Sequence, residues 1–454
     1  MHRISLWSAL LFIAMGSTLT AESLTLDQAV ERALTHNLGL QSQDASLGAK
    51  KVASDFSYNR LYPSVQFSGG LNVLTSPDAS KALAAVAPVT TTAGALKAPY
   101  LNNVYVTPDA TTALAGLTIQ WPLTVAAFEG MAQAAVDYRN AVVGREQAAR
   151  GLKTGVSKAY FQLVVLQESI RLTERQLSNA DERLRQVSVS NQAGQATELS
   201  LLQAQMARHS VLPVLQAYRQ NSQQALLALE SQLGMDPDPT VTLTDTLPTS
   251  LPLTVQTVDQ VVERGLSGNL DRRALIGNLD ALVQQRRSLD AALYPSLVLQ
   301  YSADPALNNP FNVDLTDGNN WKQRSGGLLA QVVWKLDPWL PGSSYWVNSQ
   351  ALDAQQTVAR LSLDQSRRKL QTDALNLLDT LARAQDNLAT WTEIAREADR
   401  AVELMRAAYA SGSKSLLDVN DAELSAQSAQ VNLLGVRQTL YSTWLDLQDL
   451  QGQE

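Results

Sequence analysis

No cysteine occurs in the 454 residues, and histidine occurs only at positions 2, 36 and 209. The first absence excludes disulfides, thiol chemistry, cysteine-based metal sites and a lipid-modified cysteine at a mature N-terminus. It fits an oxidising compartment in which no disulfide is needed. Scarce histidine, with His2 inside a leader-like segment, nearly excludes imidazole-based catalysis. No nucleophile–base pair or metal-ligand cluster is visible, so the chain reads as a non-enzyme with no cofactor. There is no polybasic run, and a formal net charge of −7 argues against nucleic acid as a partner. The acidic balance itself requires nothing beyond ordinary solubility. Also missing, past the first residues, is any apolar run of the length a membrane helix needs.

The chain opens on a signal-like segment. His2 and Arg3 form a short basic region, Ile4 to Met15 are mostly apolar, and small residues lead to Ala21. Cleavage after Ala21 is expected, which assigns 1–21 as a signal peptide. The remainder, in a chain 45% hydrophobic and 17% charged, is globular rather than disordered. The protein therefore leaves the cytoplasm, and any membrane crossing must use strands.

The chain repeats itself. Val30–Leu38 (VERALTHNL) recurs as Val262–Leu270 (VERGLSGNL), displaced by 232. With the same displacement Leu61-Tyr62-Pro63-Ser64 recurs as Leu293-Tyr294-Pro295-Ser296. Trp121 and Leu123 answer to Trp334 and Leu336, and Gly194 answers to Gly412 with a displacement of 218. A tandem duplication explains these matches. The first repeat spans 22–234 and the second 258–454. Between them 235–257 forms a proline-rich linker whose Thr-Val alternation could add a short strand. Each half holds a helix, a strand, a loop, a strand, a long helix, a tight turn and a second helix.

Four segments alternate apolar and polar residues: about 62–74, 112–123, 294–303 and 325–337. Val65, Phe67, Gly69, Leu71 and Val73 share one face of the first, opposite Ser64, Gln66, Ser68, Gly70 and Asn72. Period two with one apolar face marks a half-buried strand, which a soluble sheet packed on helices would satisfy. Three features favour a membrane instead. Each segment approaches the roughly 9–11 residues that cross a bilayer. Trp121 and Trp334, with Tyr62 and Tyr294, sit at equivalent strand ends, as an interfacial aromatic girdle requires. The rest of the chain is almost wholly helical. Four strands cannot close a barrel, for which about eight is the minimum. An open edge cannot face lipid, since each unpaired amide or carbonyl costs several kcal/mol there. The chain must associate, and three copies supply twelve strands. The intervening loops, about 75–111 and 303–324, have surface-loop composition.

The helical stretches are long. Between Pro122 and Pro213 there is no proline, nor any after Pro341. A helix over about 126–191 would be on the order of 100 Å long. Val156, Leu163, Ile170, Leu177 and Leu184 recur every seven, with Ala159, Leu166, Thr173, Ala180 and Val187 interleaved. The second half keeps a strict four-three spacing from Leu370 to Tyr409 and again from Ala422 to Leu447. Two turns, Gly194-Gln195-Ala196-Thr197 and Gly412-Ser413-Lys414-Ser415, end one helix and cap the next.

Together these features resemble the TolC family of outer-membrane efflux and export proteins, over the whole mature chain. The resemblance is carried by Leu24-Thr25-Leu26-Asp27-Gln28-Ala29 leading to Asn37, by the Tyr-Pro-Ser openings at Tyr62 and Tyr294, and by the tip running from Tyr409 to Ala422. It implies an α+β membrane protein: a homotrimer with a twelve-stranded β-barrel in outer-membrane lipid, four strands per chain, continuous with a long periplasmic α-helical barrel. The linker and C-terminus would form an equatorial collar. Partners would be a periplasmic adaptor (membrane fusion) protein and an inner-membrane RND, ABC or MFS transporter. The chain would be a passive exit duct for drug efflux or type I protein export.

By the same resemblance, Asp418 and Asp421 align with acidic rings at a periplasmic gate, favouring cations. A structural role is open for Asp418, capping the last helix. Tyr409 and Lys414 align with positions that hold neighbouring hairpins closed, Lys standing for the more usual Arg. The acidic partner often found six residues after the first-tip glycine is replaced here by Ser200, with Glu198 nearby. Adaptor contact is expected around Gly194, Thr197, Gly412, Ser413 and Leu416. The rival reading is a periplasmic or surface coiled-coil protein with a structural or adhesive role.

Overall fold

The computed structural model describes residues 23–73, 111–236, 241–248, 251, 256–308, 310 and 313–452. The expected signal peptide and almost all of the first inter-strand loop lie outside them. The described chain forms two compact units: 23–47, 141–276 and 362–452 in one, and 48–140 and 277–361 in the other.

The first unit is helical and shows the duplication in three dimensions. Helix α1 (Leu26–His36) opens with a capping box, in which the Thr25 hydroxyl accepts from the Gln28 amide and the Gln28 side chain accepts from the Thr25 amide. Helix α2 (Leu38–Asp55) follows after Asn37 alone. In the second repeat α5 (Val258–Gly268) and α6 (Leu270–Asp290) are joined at Asn269, and Thr257 with Gln260 forms the same box. Each asparagine works twice. Its Oδ1 accepts from the amide three residues on, Leu40 or Arg272, and so caps the following helix. Its Nδ2 donates to a carbonyl near the end of another helix: Asn37 to Gln232 at 2.8 Å, Asn269 to Leu450 at 3.4 Å.

Those receiving helices belong to the two long hairpins. Helices α3 (Val125–Gln192) and α4 (Glu198–Leu233) make the first, and α7 (Ser344–Ala410) and α8 (Leu416–Gln451) the second. The heptad seams lie inside: Val156, Leu163, Thr173, Ala180 and Val187 are buried on α3, as are Leu370, Ala374, Leu381, Ala384 and Ala395 on α7. Sequence period did not mark Tyr160, which is fully buried in the largest core cluster with Phe161, Leu229, Leu233 and Tyr441. Its hydroxyl donates to the carbonyl of Leu24 at 2.8 Å and lies 3.1 Å from an oxygen of Asp245. Burial pushes this phenol up to about 12, so it remains protonated. There strand β1 (Ser23–Leu24) pairs in parallel with β4 (Thr242–Leu243), the short strand anticipated in the linker.

The second unit holds one antiparallel sheet in the order β2-β3-β5-β6. Its strands are β2 (Ser64–Val73), β3 (Thr111–Leu123), β5 (Ser296–Asn308) and β6 (Lys322–Val333). The largest differences from the sequence reading are at two strand ends. Strand β5 runs five residues further, and β6 stops at Val333, because Asp337–Trp339 turns into a 3-10 helix. Trp334 and Leu336 thus follow the strand. Among the described residues no helix is long and apolar enough to cross a membrane.

Candidate functional site

The register of the sheet collects the apolar positions of all four strands on one face. Val65 stands opposite Ile119, Ile119 opposite Tyr301, and Tyr301 opposite Leu328. One step on, Phe67 meets Leu117, and at the other end Trp121 meets Leu299 and Leu297 meets Val332. Gln66, Thr118 and Ser302 form a row of the opposite face. On the apolar face Phe67 and Leu328 are 75% and 81% exposed, so nothing among the described residues covers them. Among the described residues the outer strands β2 and β6 each have only one neighbour, which leaves both edges open there.

At one end of the sheet the indole of Trp121 donates to the carbonyl of Leu61 at 2.6 Å, and that of Trp334 to the carbonyl of Leu293 at 3.1 Å. The two leucines begin the repeated Leu-Tyr-Pro-Ser motifs. Each indole therefore satisfies its N–H on the backbone and leaves its apolar body exposed, and the Tyr62 and Tyr294 side chains are exposed as well.

The hairpin tips are built alike. Gly194 and Gly412 adopt φ of +74° and +76°. At the first tip the amides of Gly194 and Gln195 donate to the carbonyls of Asn191 and Ser190; at the second, those of Gly412 and Ser413 donate to Tyr409 and Ala408. Thr197 and Ser415 then cap α4 and α8. Behind the tips the hairpins pack together through Val187, Ala204 and Leu416. Beside that cluster Arg183 of α3 holds Glu423 of α8 with two hydrogen bonds, of 2.7 and 3.0 Å, and Asn420 with a third. Arg406 of α7 reaches the same carboxylate at 2.7 Å. Burial pushes the Glu423 carboxyl up, but the hydrogen bonds and charges of the two guanidiniums outweigh it and hold the group below its ordinary range.

The described architecture covers nearly all of several solved structures. The Campylobacter jejuni CmeC outer membrane channel matches with a TM-score of 0.76 at 14% identity, over 94% of this chain and 85% of that one. The outer membrane protein VceC from Vibrio cholerae matches at 0.71 and 17% identity, over 94% and 96%. The open state of the Neisseria gonorrhoeae MtrE outer membrane channel matches at 0.68 and 18%, over 94% and 89%. No curated protein sequence matches the chain. The family model for outer membrane efflux proteins matches residues 29–235 and 261–453, one span in each repeat. The chain belongs to the outer membrane efflux protein family. It is an efflux channel protein of the outer membrane that extends into the periplasm, with the TolC-like fold, and the structural or adhesive alternative finds no support.

In this outer membrane efflux protein the residues singled out at the tips fall into three groups. Asp418 is the third residue of α8, where its Oδ2 accepts from the amide and the hydroxyl of Ser415, completing a capping box. Those two bonds, backbone first, hold its carboxyl below the usual range, and nearby Lys414 assists. Asp421, one turn on, is exposed. Tyr409, Lys414, Glu198 and Ser200 are not brought together: among the described residues no hydrogen bond or ion pair joins them, and Ser200 instead bonds the cap residue Thr197. Gly194, Thr197, Gly412 and Ser413 are exposed at the tips, but Leu416 is not. It is only 4% exposed, an interior residue between the hairpins, so it offers an adaptor nothing. Sequence reading passed over Arg183, Arg406 and Glu423. The available signal was a charged residue next to a seam position, Leu184 or Ala422, with opposite charges on separate helices.

Proposed function

We propose that three copies join β6 of one to β2 of the next and close a twelve-stranded barrel in outer-membrane lipid. The observation that carries this is the single apolar face, exposed and bounded by two open edges: lipid suits the face, and only further strands suit the edges. The duct then serves a tripartite efflux or type I secretion system. A periplasmic adaptor meets the exposed tips around Gly194, Thr197, Gly412 and Ser413, and an inner-membrane transporter of the RND, ABC or MFS kind supplies substrate. Asp418 and Asp421 of three copies give six carboxylates at the periplasmic mouth, which favours cations. Tyr409 and Lys414 contact Glu198 or Ser200 of a neighbouring hairpin in the closed trimer.

Detergent extraction followed by mass measurement and planar-bilayer recording tests the reading. A trimer that conducts ions is the expected result. A chain released by urea without detergent, monomeric and non-conducting, would overturn it.

A further inference from the structure

The two repeats differ most where a strand hands over to a long helix. In the first, β3 ends at Leu123 and α3 begins at Val125, so Thr124 alone connects them. In the second, β6 ends at Val333 and α7 begins at Ser344, which leaves the ten residues 334–343 between. The repeat spacing locates the change independently. Trp121 and Trp334 differ by 213, whereas Gly194 and Gly412 differ by 218, so five residues have been added in between.

The added segment is largely apolar, with Lys335 and Asp337 its charged residues, and it is exposed and internally bonded. Leu336, Trp339 and Leu340 are each about three-fifths exposed, and Trp346 and Val347 on the first turn of α7 about half. A loop facing water at this length would be expected to be polar. Part of its backbone is satisfied from within. The amides of Trp339, Leu340 and Ser343 donate to the carbonyls of Leu336, Asp337 and Leu340, all at 3.1 Å. The Ser343 hydroxyl closes the turn on the carbonyl of Pro338, whose ring is buried. With Pro338 and Pro341 carrying no N–H, these bonds reduce the number of backbone groups that would demand water.

We propose that residues 336–347 form a wedge seated in the phospholipid headgroup region at this rim of the barrel, with Trp339 and Leu340 at its tip. The inference rests on the membrane reading above and adds a second row to it. Continuity supports lipid as the occupant: Trp334 begins the segment at the foot of the exposed apolar face, directly after Val332 and Val333. Tryptophan, with a broad apolar ring and one polar N–H, is the side chain best suited to that boundary. Because only the second repeat carries the insertion, a trimer would have three wedges rather than six.

The absence of cysteine makes a clean test available. Leu340→Cys, labelled with a polarity-sensitive fluorophore, is reconstituted as conducting trimers in phosphatidylcholine vesicles. The vesicles carry a nitroxide either on the headgroup or at mid-chain. Leu199→Cys on α4, at 64% exposure, is the control. Quenching by headgroup nitroxide at least threefold stronger than at the control, and stronger than by mid-chain nitroxide, is the expected result. Quenching equal to the control would overturn the wedge while leaving the trimer and its conductance intact. So would an efficient disulfide, between adjacent copies, of Trp339→Cys with Tyr58→Cys, at an exposed position of the Ser57–Leu61 turn that leads into the edge strand β2, which would make a second copy the occupant. Trp339→Cys, labelled in the same way, decides the matter should the first variant not assemble.

Discussion

Arg183 and Glu423 stand 240 residues apart in sequence, and they meet with 13% and 11% of their side chains exposed. Their contact joins the first hairpin to the second just behind both tips, and Arg406 adds a bond within the second. A largely buried carboxylate between two guanidiniums cannot lose its partners cheaply. Removing one member of a fully buried pair costs about 3–5 kcal/mol, and the partial exposure here lowers that to about 2 kcal/mol.

Glu423→Gln should therefore loosen the tips while the sheet is untouched. Hydrogen exchange of trimers should show protection around 183 and 423 falling by about 30-fold, the equivalent of ~2 kcal/mol. Unchanged exchange there would remove the pair from any account of tip rigidity. The pH dependence has a fixed sign. The folded-state carboxyl sits below the ordinary glutamate value of 4.5, so its contribution is present above that value and lost as pH falls through the folded one. Tip protection in the parent should fall with acidification below about pH 4.5, and in Glu423→Gln that dependence should be flattened.

Asp418 and Asp421 separate by geometry. Asp421→Asn removes an exposed charge that caps nothing, so trimers should form normally and the cation preference of the conducting trimer should move toward unity. Asp418→Asn removes a charge and also weakens the capping box with Ser415, so it should alter selectivity and increase exchange in the first turn of α8. Reversal potentials across a potassium chloride gradient, with exchange on the same preparations, check both. Parent-like reversal potentials in the double variant would sink the acidic-ring proposal.

Much of this was legible from residue spacing alone. Period two placed Val65, Phe67 and Leu71 on one face, and heptads placed Leu370, Ala374 and Leu381 inside, because both patterns record burial, which acts residue by residue. What spacing did not disclose was pairing across distance. Tyr160 lies outside the seam of α3 and is buried because Leu24 and Asp245 come to it. Leu416 looked like a tip residue by number, but helix geometry turns it inward onto Val187 and Ala204. The lock residues Tyr409 and Lys414 came from resemblance, and within one chain they find no partner at Glu198 or Ser200.

The duplication gives a comparison in which each repeat controls for the other. Gly234 and Gly452 end α4 and α8 at φ of +68° and +69°, and each lies against a helix junction of its own repeat. A Cβ at Gly234 would collide with the carbonyl of His36, and one at Gly452 with the carbonyl of Gly268. Gly194 and Gly412 have a similar φ, yet a Cβ there would meet nothing within 4 Å. Alanine at either tip should then cost only the left-handed conformation, about 1 kcal/mol. Alanine at Gly234 or Gly452 must in addition push apart two backbones, for a total of several kcal/mol. Heat dissociation of the trimers should show Gly234→Ala and Gly452→Ala strongly and about equally destabilised, with Gly194→Ala and Gly412→Ala close to the parent. Equal loss at all four positions would mean that conformation alone sets the cost, and that the docking of each junction onto its helix end is not what fixes these glycines.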